Sequence, residues 1–272
     1  MASFRHLIRS ALADLVPPLI LRPARKIWRV AHGLGWHNFY GSWSTLADVP
    51  VQCRAGDDDP WAQTITANWP ENPETGAGPI CDDSGKLILP ALASQFTGPL
   101  TVLDFGGGAG VGLANILKFA HLDLSRLSYV LVETPAMCRA VRRQIEAYSG
   151  TVTEQIPDAL RAPLIVNASS SIQYIAGYQT TLSRLARLAP EFFIISQTPL
   201  TEGPTCACQV LNTPHRKIAS WVFNRGEFVD RMSSLGYRLT FSVDHDLPLT
   251  YGKAPGPWAI ASMVFLPAQQ SK

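Results

Sequence analysis

One stretch, Thr101-Val102-Leu103-Asp104-Phe105-Gly106-Gly107-Gly108-Ala109-Gly110, constrains this chain more than any other. It is an apolar run, an acid and then glycines at alternate positions, ahead of a helical pattern that starts near Val111. Val102 and Leu103 read as a buried parallel strand. The sharp turn that follows demands positive φ or close backbone approach, which glycine gives at low cost. A side chain at Gly106, Gly108 or Gly110 would intrude on a ligand cradled by the loop, while the helix behind it offers free N–H groups to an anionic group. Asp104 ends the strand where an acid can reach a cationic amino group of such a ligand, directly or through water.

Two ligand classes use a strand, a glycine turn and a helix in this order. The dinucleotide fingerprint G-x-G-x-x-G fails in either register, because its third glycine falls on Val111 counting from Gly106 and on Leu113 counting from Gly108. The pattern D-x-G-x-G-x-G is filled at every position. It is the nucleotide loop of class I S-adenosylmethionine-dependent methyltransferases, and it assigns Asp104, Phe105, Gly106, Gly107, Gly108 and Gly110 to that cofactor. The bland alternative is a tight strand-to-helix turn that holds no ligand. A second strand, Leu131-Val132-Glu133-Thr134, ends in an acid before Pro135, which can open a helix. In both nucleotide-binding classes a carboxylate there takes two hydrogen bonds from the ribose hydroxyls, so Glu133 with Thr134 joins the expected cofactor set.

Beyond the loop, strand and helix patterns alternate and predict an α/β fold, a doubly wound, mostly parallel sheet of seven strands. Strands are expected at 101–105, 128–133, 151–153, 164–168, 192–196, 237–243 and 258–266, and helices at 111–120, 136–148, 179–188 and 224–235. The last two strands form a closing hairpin whose final strand is inserted antiparallel, as the class I methyltransferase topology requires. Three regions follow: a basic amphipathic segment over 1–30, an irregular cap rich in Trp and Pro over 31–98, and a cofactor-binding domain over 99–268.

Composition narrows the partners. A net charge of +2 over 272 residues excludes a general nucleic-acid binder, which would show a basic stripe. Arg5, Arg9, Arg22, Arg25, Lys26 and Arg29 gather at the amino terminus, where Phe4, Leu7, Ile8, Ala11, Leu12 and Leu15 recur at helical spacing. Three readings stand for this helix: peripheral contact with a membrane surface, docking of a partner, or packing on the main domain with a solvated basic face. Asp14 and the Pro17-Pro18 pair argue against a signal peptide, and the longest uncharged segment, 162–183, is too polar to span a membrane. Cys53, Cys81, Cys138, Cys206 and Cys208 form neither a disulfide framework nor a zinc spacing, so no metal is expected and a reducing cytoplasm is. Cys206 and Cys208, two apart on one strand face, read as small core residues. The acids Asp57, Asp58 and Asp59 read as a solvated turn.

The acceptor side is expected at the end of the 164–168 strand. Ser169 and Ser170 would meet the methionine part of the cofactor, and Gln173 and Tyr174 the substrate, with helix capping and core packing as the structural alternatives. An alcohol acceptor also needs a base. His215 and His245 lead the candidates, His245 held between the acids of Val243-Asp244-His245-Asp246, and Tyr174 completes the catalytic set.

Taken together, Leu103 to Gly108, Val132-Glu133-Thr134-Pro135, Ser169-Ser170-Ser171-Ile172-Gln173-Tyr174, Gln197-Thr198-Pro199 and Gln209 resemble a family of bacterial methyltransferases often encoded among cell-surface polysaccharide genes. Tyr40-Gly41-Ser42-Trp43 and Ser220-Trp221-Val222-Phe223 extend the likeness to most of the chain. The resemblance implies the class I fold, S-adenosylmethionine, and a sugar or lipid-linked sugar as acceptor, with Gln197 on the substrate where the family pattern would carry an arginine. A non-catalytic binding or scaffold protein on the same fold is the alternative reading. A nicotinamide-dependent oxidoreductase is disfavoured by the glycine register and the closing hairpin.

Overall fold

The computed structural model describes residues 38–51, 62, 63, 66, 87–120, 122–213, 216–245, 250–252 and 258–268. The amino-terminal basic segment, Trp36, Trp61, Trp69, Cys53, Cys81, the Asp57–Asp59 run and His215 lie outside the described residues.

The central sheet is built from strands β2 (Leu100–Phe105), β3 (Leu127–Val132), β4 (Thr151–Thr153), β5 (Leu164–Ser169), β6 (Phe192–Thr201), β9 (Tyr237–His245) and β11 (Trp258–Pro267). Their order is β4-β3-β2-β5-β6-β11-β9. The first five run parallel, whereas β11 lies antiparallel between β6 and β9. That is the expected seven-stranded mixed sheet with its inserted closing strand.

Burial on both faces explains the apolar runs. Val102 and Leu103 point to opposite sides and both are fully buried. Val102, Leu131, Ile165 and Ile194 pack in one cluster; helices α2 (Val111–Phe119) and α3 (Pro135–Glu146) contribute Leu113, Ile116, Val141 and Ile145 to it. Leu103, Val166, Phe193 and Phe265 face the other cluster, which α4 (Tyr178–Arg187) and α5 (Arg225–Ser234) complete with Leu182, Leu185, Phe228 and Met232. Local signals set the helix ends: Pro135 opens α3, the Asn224 side chain accepts the Glu227 N–H at 2.9 Å, and Gly236 follows α5 at φ +86°. A short helix, α1 (Ile88–Ala93), packs on α2.

A second group of strands was not expected from the sequence. Strands β1 (Asn38–Trp43), β7 (Cys206–Thr213), β8 (Arg216–Asn224) and β10 (Thr250–Gly252) form a sheet in the order β10-β1-β7-β8. It therefore joins one strand from the region read as an irregular cap to three from the region read as the cofactor domain. The two sheets meet through β6, which runs on to Thr201 rather than stopping at Ser196 and pairs Leu200 with Phe223 and Thr201 with Asn224. Pro199 lies within the extension, where a proline removes one ladder donor. The strand accommodates it beside a bulge, where Ser196 and Gln197 together oppose Ser262 of β11. The added sheet has its own apolar cluster, including Phe39, Cys206, Cys208, Val210, Val222 and Trp258, and joins the central sheet at the carboxyl end of β6. Cys206 and Cys208 are buried there with sulfurs 3.8 Å apart, which agrees with the core reading.

Candidate functional site

The site is the crevice outside the carboxyl ends of β2, β3, β5 and β6, where strand order turns from one side of β2 to the other. Its floor is the glycine loop. Gly106, Gly108 and Gly110 all have left-handed backbone, with φ of +66°, +58° and +78°, so each alternate position needs the freedom glycine has. The Gly106 N–H donates to the Val132 carbonyl at 2.8 Å, tying the loop to β3, and the Gln144 Nε2 of α3 donates to the Ala109 carbonyl at 2.8 Å. Gly110 then caps α2, whose first turn faces the loop.

Asp104, at the carboxyl end of β2, lies beneath the loop. The side chain is 1% exposed and turned under the loop. One carboxylate oxygen accepts the Tyr129 hydroxyl and the other accepts the Asn167 Nδ2 at 2.8 Å. Tyr129 comes from β3, and Asn167 stands opposite Asp104 in the register of β5. Gly107 and Gly112 are bare because the Asp104 carboxylate fills the space a Cβ would need; at Gly107 that Cβ would also come within 2.7 Å of Leu131 Cδ1. Burial raises the Asp104 pKa, with the two hydrogen bonds opposing. Asp104 thus holds three strands and the loop together from beneath. Each of its oxygens accepts one protein donor.

Glu133 lies at the rim. Its Oε1 accepts the Gly108 N–H at 2.8 Å and its Oε2 accepts the Thr134 N–H at 2.9 Å. Burial raises its pKa while the two backbone donors oppose the rise. A carboxylate has about four acceptor positions, so each oxygen keeps capacity for a second donor. Phe105, half-buried, packs on the cluster beneath.

The other wall is made by the ends of β5 and β6. Ser170 and Gln197 are not glycines, yet have φ of +51° and +53°. The Ser170 N–H donates to the Ser196 carbonyl at 2.8 Å, and the Gln197 N–H reaches Ser262 Oγ at 3.4 Å. Ser171 presses its Cβ against Gly106, where a side chain would collide with it. Ser169, Ser171 and Ser196 each carry a buried hydroxyl without a hydrogen-bond partner among the described residues. Gln173 Nε2 donates to Ser170 Oγ at 3.3 Å and to the Gln197 carbonyl at 3.2 Å, so the expected substrate residues Gln173 and Gln197 do meet. Tyr174 packs against the cluster of the second sheet, and burial raises its pKa, which keeps the phenol protonated near neutral pH.

His245 ends β9 on the same side of the sheet. Its Nε2 is 2.7 Å from Ser262 Oγ, the hydroxyl that also meets Gln197. The acidic neighbour expected to orient it, Asp244, accepts from Arg225 Nη2 through both oxygens at 2.9 and 2.8 Å.

Sequence reasoning passed over Tyr129, Asn167, Ser171, Ser196 and Ser262. A signal existed for Asn167: a polar residue inside Leu164-Ile165-Val166-Asn167-Ala168 must find a partner if the strand is buried. Among the described residues no group of three or more His, Cys, Asp or Glu could hold a metal, and no helix is long and apolar enough to cross a membrane.

No family model matches the chain, and no curated protein matches it. Solved structures do. A methyltransferase from Streptomyces caelestis is similar at 15% identity over 78% of this chain and 97% of that one, with a TM-score of 0.46. The 1,6-didemethyltoxoflavin-N1-methyltransferase of Burkholderia thailandensis, solved with S-adenosylhomocysteine, is similar at 17% identity over 69% and 80%, TM-score 0.45. The magnesium protoporphyrin IX methyltransferase of Synechocystis PCC 6803, also with S-adenosylhomocysteine, follows at 13% identity over 68% and 82%, TM-score 0.46. The strand order β4-β3-β2-β5-β6-β11-β9, with β11 alone reversed against β6, gives this chain the fold of the class I methyltransferases.

Proposed function

We propose that this crevice binds S-adenosylmethionine and that the chain methylates a hydroxyl of a small molecule or glycan, in the assembly of surface polysaccharide or a related product. The observation that carries the reading is the pairing of Glu133 with the left-handed glycine loop: its carboxylate is fixed by Gly108 and Thr134 and retains acceptor capacity for a vicinal diol. The fit extends along the crevice. Gly108 and Gly110 carry no side chain on the loop, Gly106 is packed by Ser171, Phe105 and Gly107 complete the floor, and Ser169, Ser170, Ser171 and Ser196 offer hydroxyl or backbone groups beside it, three of those hydroxyls unpartnered among the described residues.

The cofactor, when bound, supplies a methyl carbon already activated by its sulfonium. The protein's work is then to align the acceptor, exclude water and take up the acceptor's proton. His245, steadied by Ser262, is the base in this reading, with His215 as the second candidate and Tyr174 as a neutral hydrogen-bonding group at the acceptor. The basic residues within 1–30 suit a cytoplasmic enzyme that meets a membrane-held acceptor at the inner face.

Titration calorimetry with S-adenosylhomocysteine tests the reading. Micromolar affinity is expected, and Glu133→Ala should weaken it by about 1 to 3 kcal/mol through loss of a charge-assisted pair. Equal affinity in wild type and variant would count against the assignment. Incubating cell extract with enzyme and deuterated-methyl cofactor, followed by mass spectrometry, then reports the acceptor without a prior guess.

A further inference from the structure

Three peptide groups of the glycine loop are held by one strand and the helix that follows it. The Gly106 N–H donates to the Val132 carbonyl of β3 at 2.8 Å, the Gly108 N–H donates to Glu133 Oε1 between β3 and α3 at 2.8 Å, and the Ala109 carbonyl accepts Gln144 Nε2 of α3 at 2.8 Å. Gln144 is half-buried and lies 35 positions along the chain from its partner. A carbonyl only accepts, so the orientation of this amide is fixed. Ala109 is 1% exposed, and its carbonyl stands ahead of the α2 ladder, whose first bond runs from the Ala114 N–H to the Gly110 carbonyl. Its donor is Gln144.

The consequence runs through the peptide plane. In a trans peptide the carbonyl and the following N–H point opposite ways, so anchoring the Ala109 carbonyl on α3 also aims the Gly110 N–H, which closes the turn on the Gly107 carbonyl at 3.0 Å. Gly110, at φ +78°, then launches α2. Residues 106–110 are four glycines and one alanine, a run whose backbone freedom must be removed by bonds from elsewhere. A ligand meeting an unheld loop would bear the cost of ordering it.

We infer that Gln144 is a positioning residue of the cofactor site, whose bond to Ala109 sets the Ala109–Gly110 peptide so that the loop meets its ligand already in shape. This rests on the methyltransferase reading and adds to it a residue that acts through the loop. Glu133 holds Gly108 and Gln144 holds the next residue, so the group assigned to the ribose and the group that shapes the loop are carried by one β3–α3 unit.

Titration calorimetry with S-adenosylhomocysteine on the full chain compares wild type with Gln144→Met and Gln144→Glu. The first removes the donor and keeps the length; the second keeps the shape and, near neutral pH, turns only acceptors toward the carbonyl. Both should bind about 3- to 10-fold more weakly, the weight of one hydrogen bond. Amide hydrogen exchange over 107–112 in the ligand-free variants should quicken, while that of β3 stays as in wild type. Should one variant fail to melt cooperatively, the other carries the test. Wild-type affinity in a folded variant would overturn the inference, even with a lowered urea midpoint, because the bond would then only satisfy a buried carbonyl. Weaker binding with unchanged loop exchange would overturn it as well. If wild type itself bound no S-adenosylhomocysteine, the methyltransferase reading would fall, and the exchange comparison would still report whether Gln144 shapes the loop.

Discussion

The two walls of the crevice reach the same backbone conformation by different means. On the β2 side, the left-handed positions are Gly106, Gly108 and Gly110, residues that adopt it without strain. On the β5 and β6 side they are Ser170 and Gln197, for which it costs on the order of 1 to 2 kcal/mol each. Tertiary bonds hold those two: Ser170 to Ser196, and Gln197 to Ser262 and Gln173. On the glycine wall the missing side chains at Gly106 and Gly107 make room for Ser171, Asp104 and Leu131, so the loop packs tightly on its own core. The other wall keeps its side chains and accepts strain.

Substitutions can break or sharpen this contrast. The largest effect is expected from Gly107→Ala, whose Cβ would strike the Asp104 carboxylate and lie 2.7 Å from Leu131 Cδ1, both set in the core. A loss of about 3 kcal/mol in urea unfolding, with loss of S-adenosylhomocysteine binding, should follow; wild-type stability would mean that Asp104 is not locked beneath the loop. Ser262→Ala should cost about 1 to 2 kcal/mol, because the Gln197 N–H loses its acceptor, and should slow methyl transfer by removing the hydroxyl 2.7 Å from His245 Nε2. Unchanged transfer would remove Ser262 from the proposed mechanism. Gln197→Gly relieves the left-handed strain and should raise stability by up to about 1 kcal/mol while lowering acceptor turnover. A destabilised variant would show that the Gln197 side chain, not its backbone, secures the bulge.

The smallest effect is a slope. Burial raises the Asp104 pKa, so the folded state holds its proton more tightly than the unfolded state. The associated stability is complete below about pH 3.9, the unfolded value, and is lost as pH rises through the raised folded value. Asp104→Asn should remove that decline from urea midpoints measured between about pH 4 and pH 7. Glu133 shifts in the same direction, partly because of the Asp104 charge, so the difference between the two profiles reports Asp104 together with its coupling to Glu133. Identical profiles would mean that Tyr129 and Asn167 accommodate the ionised carboxylate without cost.

Much of the fold was legible because its signals are local. Apolar runs between glycine and proline punctuation located the seven central strands, and capping residues such as Asn224 and Gly236 located the helix ends. The full length of β6 was not legible: the strand was expected over 192–196, and it continues to Thr201 past a bulge at Ser196 and Gln197. Nor was the second sheet, whose β1 and β7 pair residues some 170 positions apart, Phe39 with Val210 and Tyr40 with Gln209. Such pairing leaves no periodic mark that distinguishes it from a cap of loops.

The candidate site divides in the same way. The glycine loop and Glu133 could be found from sequence because spacing along one strand and turn dictates their geometry. The inward turn of Asp104 depends on Tyr129 and Asn167 from two neighbouring strands, His245 meets Ser262 of β11, and Asp244 is bound by Arg225. By itself the sequence determined the sheet, its glycine turn and the acid opposite it, because steric limits on the backbone act within a few residues. Only the tertiary structure decided which polar groups are satisfied and which stay bare at the crevice, because a buried hydrogen bond is made by whatever strand the fold brings alongside.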